Sequence, residues 1–133
     1  MKNVSFLLVV IFVVLTLAGL AARQDQDAPL DPRIAAYDKG PAKIDVSKYP
    51  ADMQAKYKVF AKKCSGCHTL ARAINCDFAL ADEWERYVKR MMNKAGPSVI
   101  SAEEGKQVYD FVVYDSKTRK KDLYDRKLKE AAK

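Results

Sequence analysis

The order of apolar and polar residues along the chain predicts helices and no strands. Apolar side chains recur at helical spacing over about 51–63, over 83–95 and from 101 onward, and no segment shows the two-residue period of a strand. A continuous apolar run occupies 4–22, and a proline-rich segment, 23–50, follows it. We therefore expect an all-α fold, with an extended arm over 23–50 because proline fixes φ and removes a hydrogen-bond donor.

The first predicted helix covers about 51–63. Tyr57, Phe60 and Cys64 recur at its helical period, and Gly66 is expected to end it. An aromatic residue four positions before Cys64 lies on the same face of this helix. The helix therefore leads directly into the cysteine-rich segment that follows.

The second predicted helix covers Glu83–Ala95. Asp82 and Glu85 have the spacing of a capping box, and Gly96-Pro97 provides a stop. The pattern predicts that one apolar face packs against the core. That face consists of Trp84, Val88, Met91 and Ala95.

The third predicted helix begins after Ser101, whose hydroxyl can cap it while Glu104 reaches back. The pattern allows it to continue beyond residue 115 as a basic extension through Leu123 and Leu128. Its apolar positions are Val108, Phe111 and Val112. From 116 to 133 the chain has eight Lys or Arg against three Asp or Glu, so this segment is predicted to be a basic helical tail.

The apolar run at the N-terminus has the features of a signal peptide. A single Lys2 precedes it, and small residues close it at Ala21-Ala22. Cleavage there removes residues 1–22 and leaves no stable membrane span, although the run is long enough to span a bilayer if it is retained as an anchor. Export to the periplasm or an equivalent compartment is the expected localisation.

The full chain carries a formal net charge of +7, and much of this charge lies in the tail. We expect either a solvated helix face or a docking surface for an acidic redox partner. Nucleic acid is not an expected partner, because the chain is exported and the tail has too few aromatic residues for base stacking. The length that remains after cleavage suits one small domain.

Cys64-Ser65-Gly66-Cys67-His68 has the C-x-x-C-H pattern of covalent haem attachment. Two thiols at this spacing can each bond one vinyl group of a porphyrin, and the imidazole that follows can reach the iron. The pattern predicts one haem c, with Cys64 and Cys67 as thioether anchors and His68 as the proximal ligand. A zinc site is disfavoured because the chain lacks a second pair of ligands, and a thioredoxin-like C-x-x-C is the remaining alternative.

This organisation resembles a class I cytochrome c over residues 51–115. The resemblance is based on Phe60, the C-x-x-C-H motif and a later helix with aromatic and branched residues, which would cross the first helix. It implies a small helical domain around one covalent haem. One departure is that no methionine occupies the loop position from which that family normally takes its distal ligand.

Few residues of this chain could be the distal ligand of the haem iron. His68 is the only histidine of the chain, so a second histidine ligand from the same chain is impossible. Cys76 is a third cysteine in an oxidising compartment, and eight extended residues after His68 can reach around a porphyrin edge. We predict Cys76 as the distal ligand, with Met91 and Met92 as alternatives. A buried free thiol or an intermolecular disulfide would also explain Cys76.

An exported monohaem chain with one further cysteine also resembles a subunit of the anammox heterodimeric cytochrome with His/Cys-ligated haem. That resemblance implies a heterodimer with a similar small cytochrome and binding of nitric oxide and carbon monoxide. The two candidate functions are therefore electron transfer at the haem iron and the binding or sensing of a diatomic gas. An enzyme is disfavoured, because no distal acid–base group can be assembled without a second histidine.

Overall fold

A computed structural model describes residues 30–133, and it contains helices and turns without strands in that range. This confirms the all-α prediction for the described residues. The predicted signal peptide, 1–22, and the first part of the arm lie outside them. The helices are α1 Pro32–Asp38, α2 Ala51–Cys64, α3 Ala71–Asn75, α4 Ala81–Ala95, α5 Ala102–Thr118 and α6 Lys121–Ala131. None of these helices is long and apolar enough to cross a membrane.

The centre of the core is the packing of α2 against α5. The Phe60 and Phe111 rings lie 5.1 Å apart between centroids, and Tyr57 lies 5.3 Å from Phe111. Phe60 and Phe111 are both almost fully buried. The predicted packing of the later aromatic helix, α5, against the helix before the C-x-x-C-H motif, α2, is therefore confirmed. The apolar positions that the pattern identified in the two helices contact each other.

Helix α4 begins two residues earlier than predicted, and its cap differs. Glu83, rather than Glu85, reaches back, and its carboxylate accepts hydrogen bonds from the backbone N–H groups of Ala79 and Leu80 at 2.9 Å each. Asp82 instead pairs with Arg86 on the exposed side of the first turn. The predicted Asp82–Glu85 capping box is wrong, because a helix that begins at Ala81 puts Glu83 at the position from which a side chain reaches back.

The C-terminal end of α4 is as predicted. Gly96 has a φ of +83°, a conformation that favours glycine, and its N–H donates to the Met92 carbonyl at 2.9 Å. Trp84 and Val88 of the predicted apolar face are buried. Met92 packs against the buried core, and Met91 of the predicted face is partly buried.

Helix α5 begins at the predicted cap. The Ser101 hydroxyl accepts a hydrogen bond from the Glu104 N–H, and the Glu104 carboxylate accepts one from the Ser101 N–H. The predicted continuous basic extension is interrupted, because Arg119 and Lys120 form a turn between α5 and α6. The start of the tail is part of the core, since Ser116 is fully buried.

The prediction of an extended arm is wrong for residues 32–38, which form helix α1. Pro32 is the first helical residue, where a missing N–H has no consequence and the fixed φ is favourable. The segment that follows α1 has no regular structure, but it packs against the domain. The Tyr57 hydroxyl accepts a hydrogen bond from the Ile44 N–H of this segment at 3.2 Å, and the Tyr49 hydroxyl donates to Asp115 at 2.9 Å.

Candidate functional site

The C-x-x-C-H segment lies at the C-terminal end of α2. Cys64 is the last residue of that helix and is partly buried, and the turn that follows exposes Cys67. His68 is partly exposed after the turn. None of the chain's three cysteines forms a disulfide bond, so all three thiols are available for other chemistry.

The Cys64 side chain lines a narrow apolar cleft between α2, α4 and α5. The cleft is lined by Cys64, Tyr87, Val88, Met91, Met92, Ile100, Gly105 and Val108. Burial raises the pKa of the Cys64 thiol to about 12, which favours the neutral form in these apolar surroundings. An apolar ligand attached to Cys64 would therefore be adjacent to aliphatic, aromatic and thioether side chains.

A second, more open groove adjoins this cleft and shares Val88, Met92 and Gly105 with it. It has a volume of about 300 Å³, and Lys89 and Lys106 lie at its margin. The Met92 side chain packs directly on Gly105, where an added Cβ would meet the Met92 Cε at 2.7 Å. Gly105 therefore allows the thioether of α4 to approach the backbone of α5.

The His68 imidazole is oriented by a backbone carbonyl. Its Nδ1 lies 2.9 Å from the Thr69 oxygen. A carbonyl only accepts hydrogen bonds, so this contact assigns the proton of the neutral ring to Nδ1 and leaves Nε2 with its lone pair. Histidine ligands of metals commonly have this arrangement, because the hydrogen bond fixes both the tautomer and the ring orientation.

Cys76 has different surroundings from the other two cysteines. It follows α3 and is buried, and its thiol lies 3.2 Å from the Ala73 carbonyl as a donor. Burial raises the pKa of the Cys76 thiol, and the nearby Lys120 ammonium acts in the opposite direction. Cys76 is not among the residues that line the cleft beside Cys64, whereas both Met91 and Met92 are.

Tyr87 is near both the cleft beside Cys64 and the segment that carries Cys76. It lines the cleft beside Cys64, and its hydroxyl is within electrostatic range of both the Cys64 and the Cys76 thiols. Burial raises the pKa of Tyr87 to about 12, so the phenol stays protonated. The sequence interpretation missed this residue, although its position three after Trp84 and four before Met91 puts it beside the predicted apolar face.

Two further contacts that the sequence did not predict hold the Cys76 segment. Arg119 donates to the Ile74 carbonyl at 3.1 Å, and Lys120 donates to the Cys76 carbonyl at 2.7 Å. More than 40 residues separate these partners along the chain, so no local sequence signal could have identified them.

The donor types are those of a covalently attached haem, although the cleft beside Cys64, at about 20 Å³, would have to widen to hold one. Cys64 presents a thiol to an apolar cleft, Cys67 follows on an exposed turn, and the His68 imidazole has its Nδ1 2.9 Å from the Thr69 carbonyl oxygen. Residues 64–68 therefore provide two positions for thioether bonds and one nitrogen ligand. Comparisons of this chain with protein-family models, curated proteins and solved structures found no match.

Proposed function

We propose that this protein is an exported monohaem c-type cytochrome that transfers electrons. The observation that carries the proposal is the combination of a Cys64 thiol in an apolar cleft with a His68 ring oriented by the Thr69 carbonyl. Cys64 and Cys67 would hold haem c through thioether bonds, and His68 Nε2 would be the proximal ligand. The haem supplies an iron centre that takes up and returns one electron.

The surrounding residues would exclude water and hold the cofactor. Val88, Ile100 and Val108 give the cleft its apolar character, which reduces solvent access to a bound haem. Tyr87 adds a phenol to the cleft wall, and burial keeps it protonated by raising its pKa to about 12. We propose an electron carrier rather than an enzyme, because the only imidazole of the chain is committed to ligation.

We propose Cys76 as the distal ligand, with Met91 and Met92 as the alternatives. Cys76 is supported by its burial and by the packing of Phe78, two residues later, against the Tyr87 ring of the cleft wall, 5.5 Å between centroids. The methionines are supported by their position on the cleft wall beside Cys64. A bound cation strongly favours a thiolate, so ligation would outweigh the effect of burial on the Cys76 thiol.

The alternative function is binding or sensing of nitric oxide or carbon monoxide. It is favoured only if Cys76 is the distal ligand, because a thiolate that is lost on reduction would leave a coordination position for a diatomic gas. The behaviour of the distal ligand on reduction distinguishes gas binding from electron transfer. Retention of the distal ligand in both oxidation states supports the carrier, and its loss on reduction supports gas binding.

The first experiment tests covalent attachment. The full chain, with its own N-terminal segment, is produced in a host that attaches haem outside the cytoplasm, and intact mass is measured. We expect the mass of the mature chain without residues 1–22 plus one haem. The double variant Cys64→Ala/Cys67→Ala should lose the haem mass, and Cys67→Ala should keep it through the single thioether at Cys64, whereas Cys76→Ala, the matched control, should retain both the haem mass and both thioethers. A mature protein of unmodified mass would contradict the proposal.

The second experiment identifies the distal ligand by optical and electron-paramagnetic spectra of the oxidised protein. Cys76→Ala should change the spectra and raise the reduction potential, because a thiolate donates electron density to the iron. Met91→Leu and Met92→Leu should leave the coordination unchanged. If a methionine variant alone abolishes six-coordination and Cys76→Ala is silent, the protein is a His/Met electron carrier and the gas-binding alternative is excluded.

We propose that the partner is an acidic redox protein and that the basic helix α6 steers it to this protein. A heterodimer with a second small cytochrome is a further proposed arrangement. Lys121, Arg126 and Lys129 are exposed on this helix. Electrostatic steering predicts an association rate that falls steeply with ionic strength. The expected site of action is the periplasm or an equivalent exported compartment, without nucleic acid and without a membrane span after cleavage.

A further inference from the structure

The segment that carries Cys76 is held by two adjacent side chains from a distant part of the chain. Arg119 Nη2 donates to the Ile74 carbonyl at 3.1 Å. Lys120 Nζ donates to the Cys76 carbonyl at 2.7 Å and to the Phe78 carbonyl at 3.3 Å. The cations at the turn between α5 and α6 therefore contact three carbonyls of one short segment.

The three carbonyls lie on both sides of the end of α3. Ile74 is inside the helix, whereas Cys76 is the residue that follows it and is extended, with φ of −61° and ψ of 161°. Arg119 therefore holds the last turn of α3, and Lys120 holds the backbone immediately beyond it.

Both cations are held in place by other groups. Arg119 makes a two-nitrogen contact with the Asp115 carboxylate, with distances of 3.0 and 2.6 Å, and Asp115 also accepts the Tyr49 hydroxyl. Lys120 lies over the Trp84 ring, 5.4 Å from its centroid. The Trp84 indole in turn donates to the buried Ser116 hydroxyl at 2.8 Å. The donors are therefore ordered before they reach the segment.

A partly buried ammonium is costly unless it makes strong hydrogen bonds. Lys120 makes two bonds to carbonyls and one cation–π contact, and all of them converge on the region of Cys76, Phe78 and Trp84. Its neighbour Lys121 points to Asp125 in its own helix and is exposed. Two adjacent lysines at the start of the basic tail thus have different roles.

We propose that Lys120, supported by Arg119, is a positioning residue that fixes the backbone of the Cys76 segment and thereby the place of the Cys76 thiol. The part of this inference that concerns the haem rests on the proposed function. The part that concerns the position of the thiol does not. The first residues of the basic tail therefore belong to the functional site, rather than to a separate docking surface.

The first test measures access to the thiol in the full protein. Lys120→Met retains the apolar stem and removes the donor, and Lys121→Met is the matched control. Alkylation of Cys76 by iodoacetamide is followed by mass spectrometry of the peptide that contains it. We expect at least about tenfold faster alkylation in Lys120→Met, since loss of a charged donor makes local opening easier by about that factor. Lys121→Met should react at the wild-type rate.

The second test uses the spectrum of the oxidised haem protein. Lys120→Met should produce a second, partly high-spin population when Cys76 is present. The same substitution should have no effect on the spectrum in a Cys76→Ala background, because the only group it positions is then absent. A purely structural role for Lys120 would alter both backgrounds equally.

The outcomes separate this inference from the proposed function. If no haem is attached, the alkylation rates alone decide whether Lys120 positions the thiol. If Lys120→Met fails to fold, as judged by loss of helical circular dichroism, Lys120→Gln and Arg119→Gln take its place in both tests. Equal alkylation rates in the Lys120 and Lys121 variants, or the same spectral change with and without Cys76, overturn the inference.

Discussion

The pair of helices α2 and α5 and the segment 65–80 that follows α2 are held by different forces. The helix pair is held by aromatic packing, with Phe60 and Phe111 in direct contact. The segment has only the short helix α3. It buries small and aliphatic side chains, among them Leu70 and Ile74, and its backbone also accepts hydrogen bonds from Arg119 and Lys120. All the predicted haem-contacting residues except the methionines lie at the junction of the two regions or within the segment.

This difference has a physical consequence. Aromatic packing depends on buried area and resists opening as a unit, whereas a hydrogen-bonded segment can open locally when one donor is lost. The helix pair supplies walls of the cleft beside Cys64, whereas His68 and Cys76 lie in the segment whose backbone takes donors from the α5–α6 turn.

The largest effect is expected from Phe111→Ala. Phe111 is fully buried and contacts Phe60, Tyr57 and Tyr49. Truncation should lower the free energy of unfolding by about 3–5 kcal/mol, measured by urea denaturation, because it leaves a cavity at the centre of the core. Phe111→Leu is the control and should cost less than about 2 kcal/mol. Similar values for both variants would mean that the helix pair does not depend on the aromatic contact.

A smaller effect is expected from Ser116→Ala, which tests the contact between the helix pair and α4. The Ser116 hydroxyl accepts the Trp84 indole N–H at 2.8 Å, and both groups are buried. The variant leaves that donor without an acceptor, so it should lose about 1–3 kcal/mol of stability. Thr118→Ala, whose hydroxyl bonds only within α5 at an exposed position, should change stability by less than about 0.5 kcal/mol.

Asn75→Ala should act on the segment rather than on the helix pair. The Asn75 amide donates to the carbonyls of Tyr37 and Pro41, at 3.1 Å each, and thus ties α3 to the chain after α1. We expect a loss of about 1 kcal/mol and faster amide hydrogen exchange confined to residues 37–41 and 71–76. Equal acceleration in α2 and α5 would contradict the distinction between the two regions.

The smallest effect concerns pH. Hydrogen bonds from Lys63 and the Ser101 N–H lower the pKa of Glu104 from its ordinary 4.5 to about 2. Because the pKa is lower in the folded protein, the carboxylate stabilises the fold above pH 4.5, and this contribution is lost as the pH falls towards 2.

Glu104→Gln should therefore be less stable than the wild type near neutral pH, and the two should converge between about pH 4.5 and pH 2 in urea titrations. Glu103→Gln, on the exposed side of the same turn, is the matched control for the loss of one carboxylate. A difference between Glu104→Gln and the wild type that persists unchanged at pH 2 would exclude the charge of Glu104 as its cause.

Much of the helix pattern was predictable because helices leave local signals. The Ser101–Glu104 cap and the Gly96 stop were predicted and are present, and Phe60 and Phe111 were predicted to be apolar contacts. The prediction failed where two local signals competed. Proline content favoured an extended arm, but Pro32 at a first helical position is compatible with helix α1.

The sequence by itself determined the helical class, the spacing of Cys64, Cys67 and His68, and the absence of a second histidine, because these are properties of composition and local order. Only the tertiary structure decided what surrounds each candidate. It put Cys64 beside Met91 and Met92 in an apolar cleft. It also brought the α5–α6 turn to the backbone of the Cys76 segment. Contacts between residues more than 40 positions apart depend on how helices pack, and no local pattern encodes that packing.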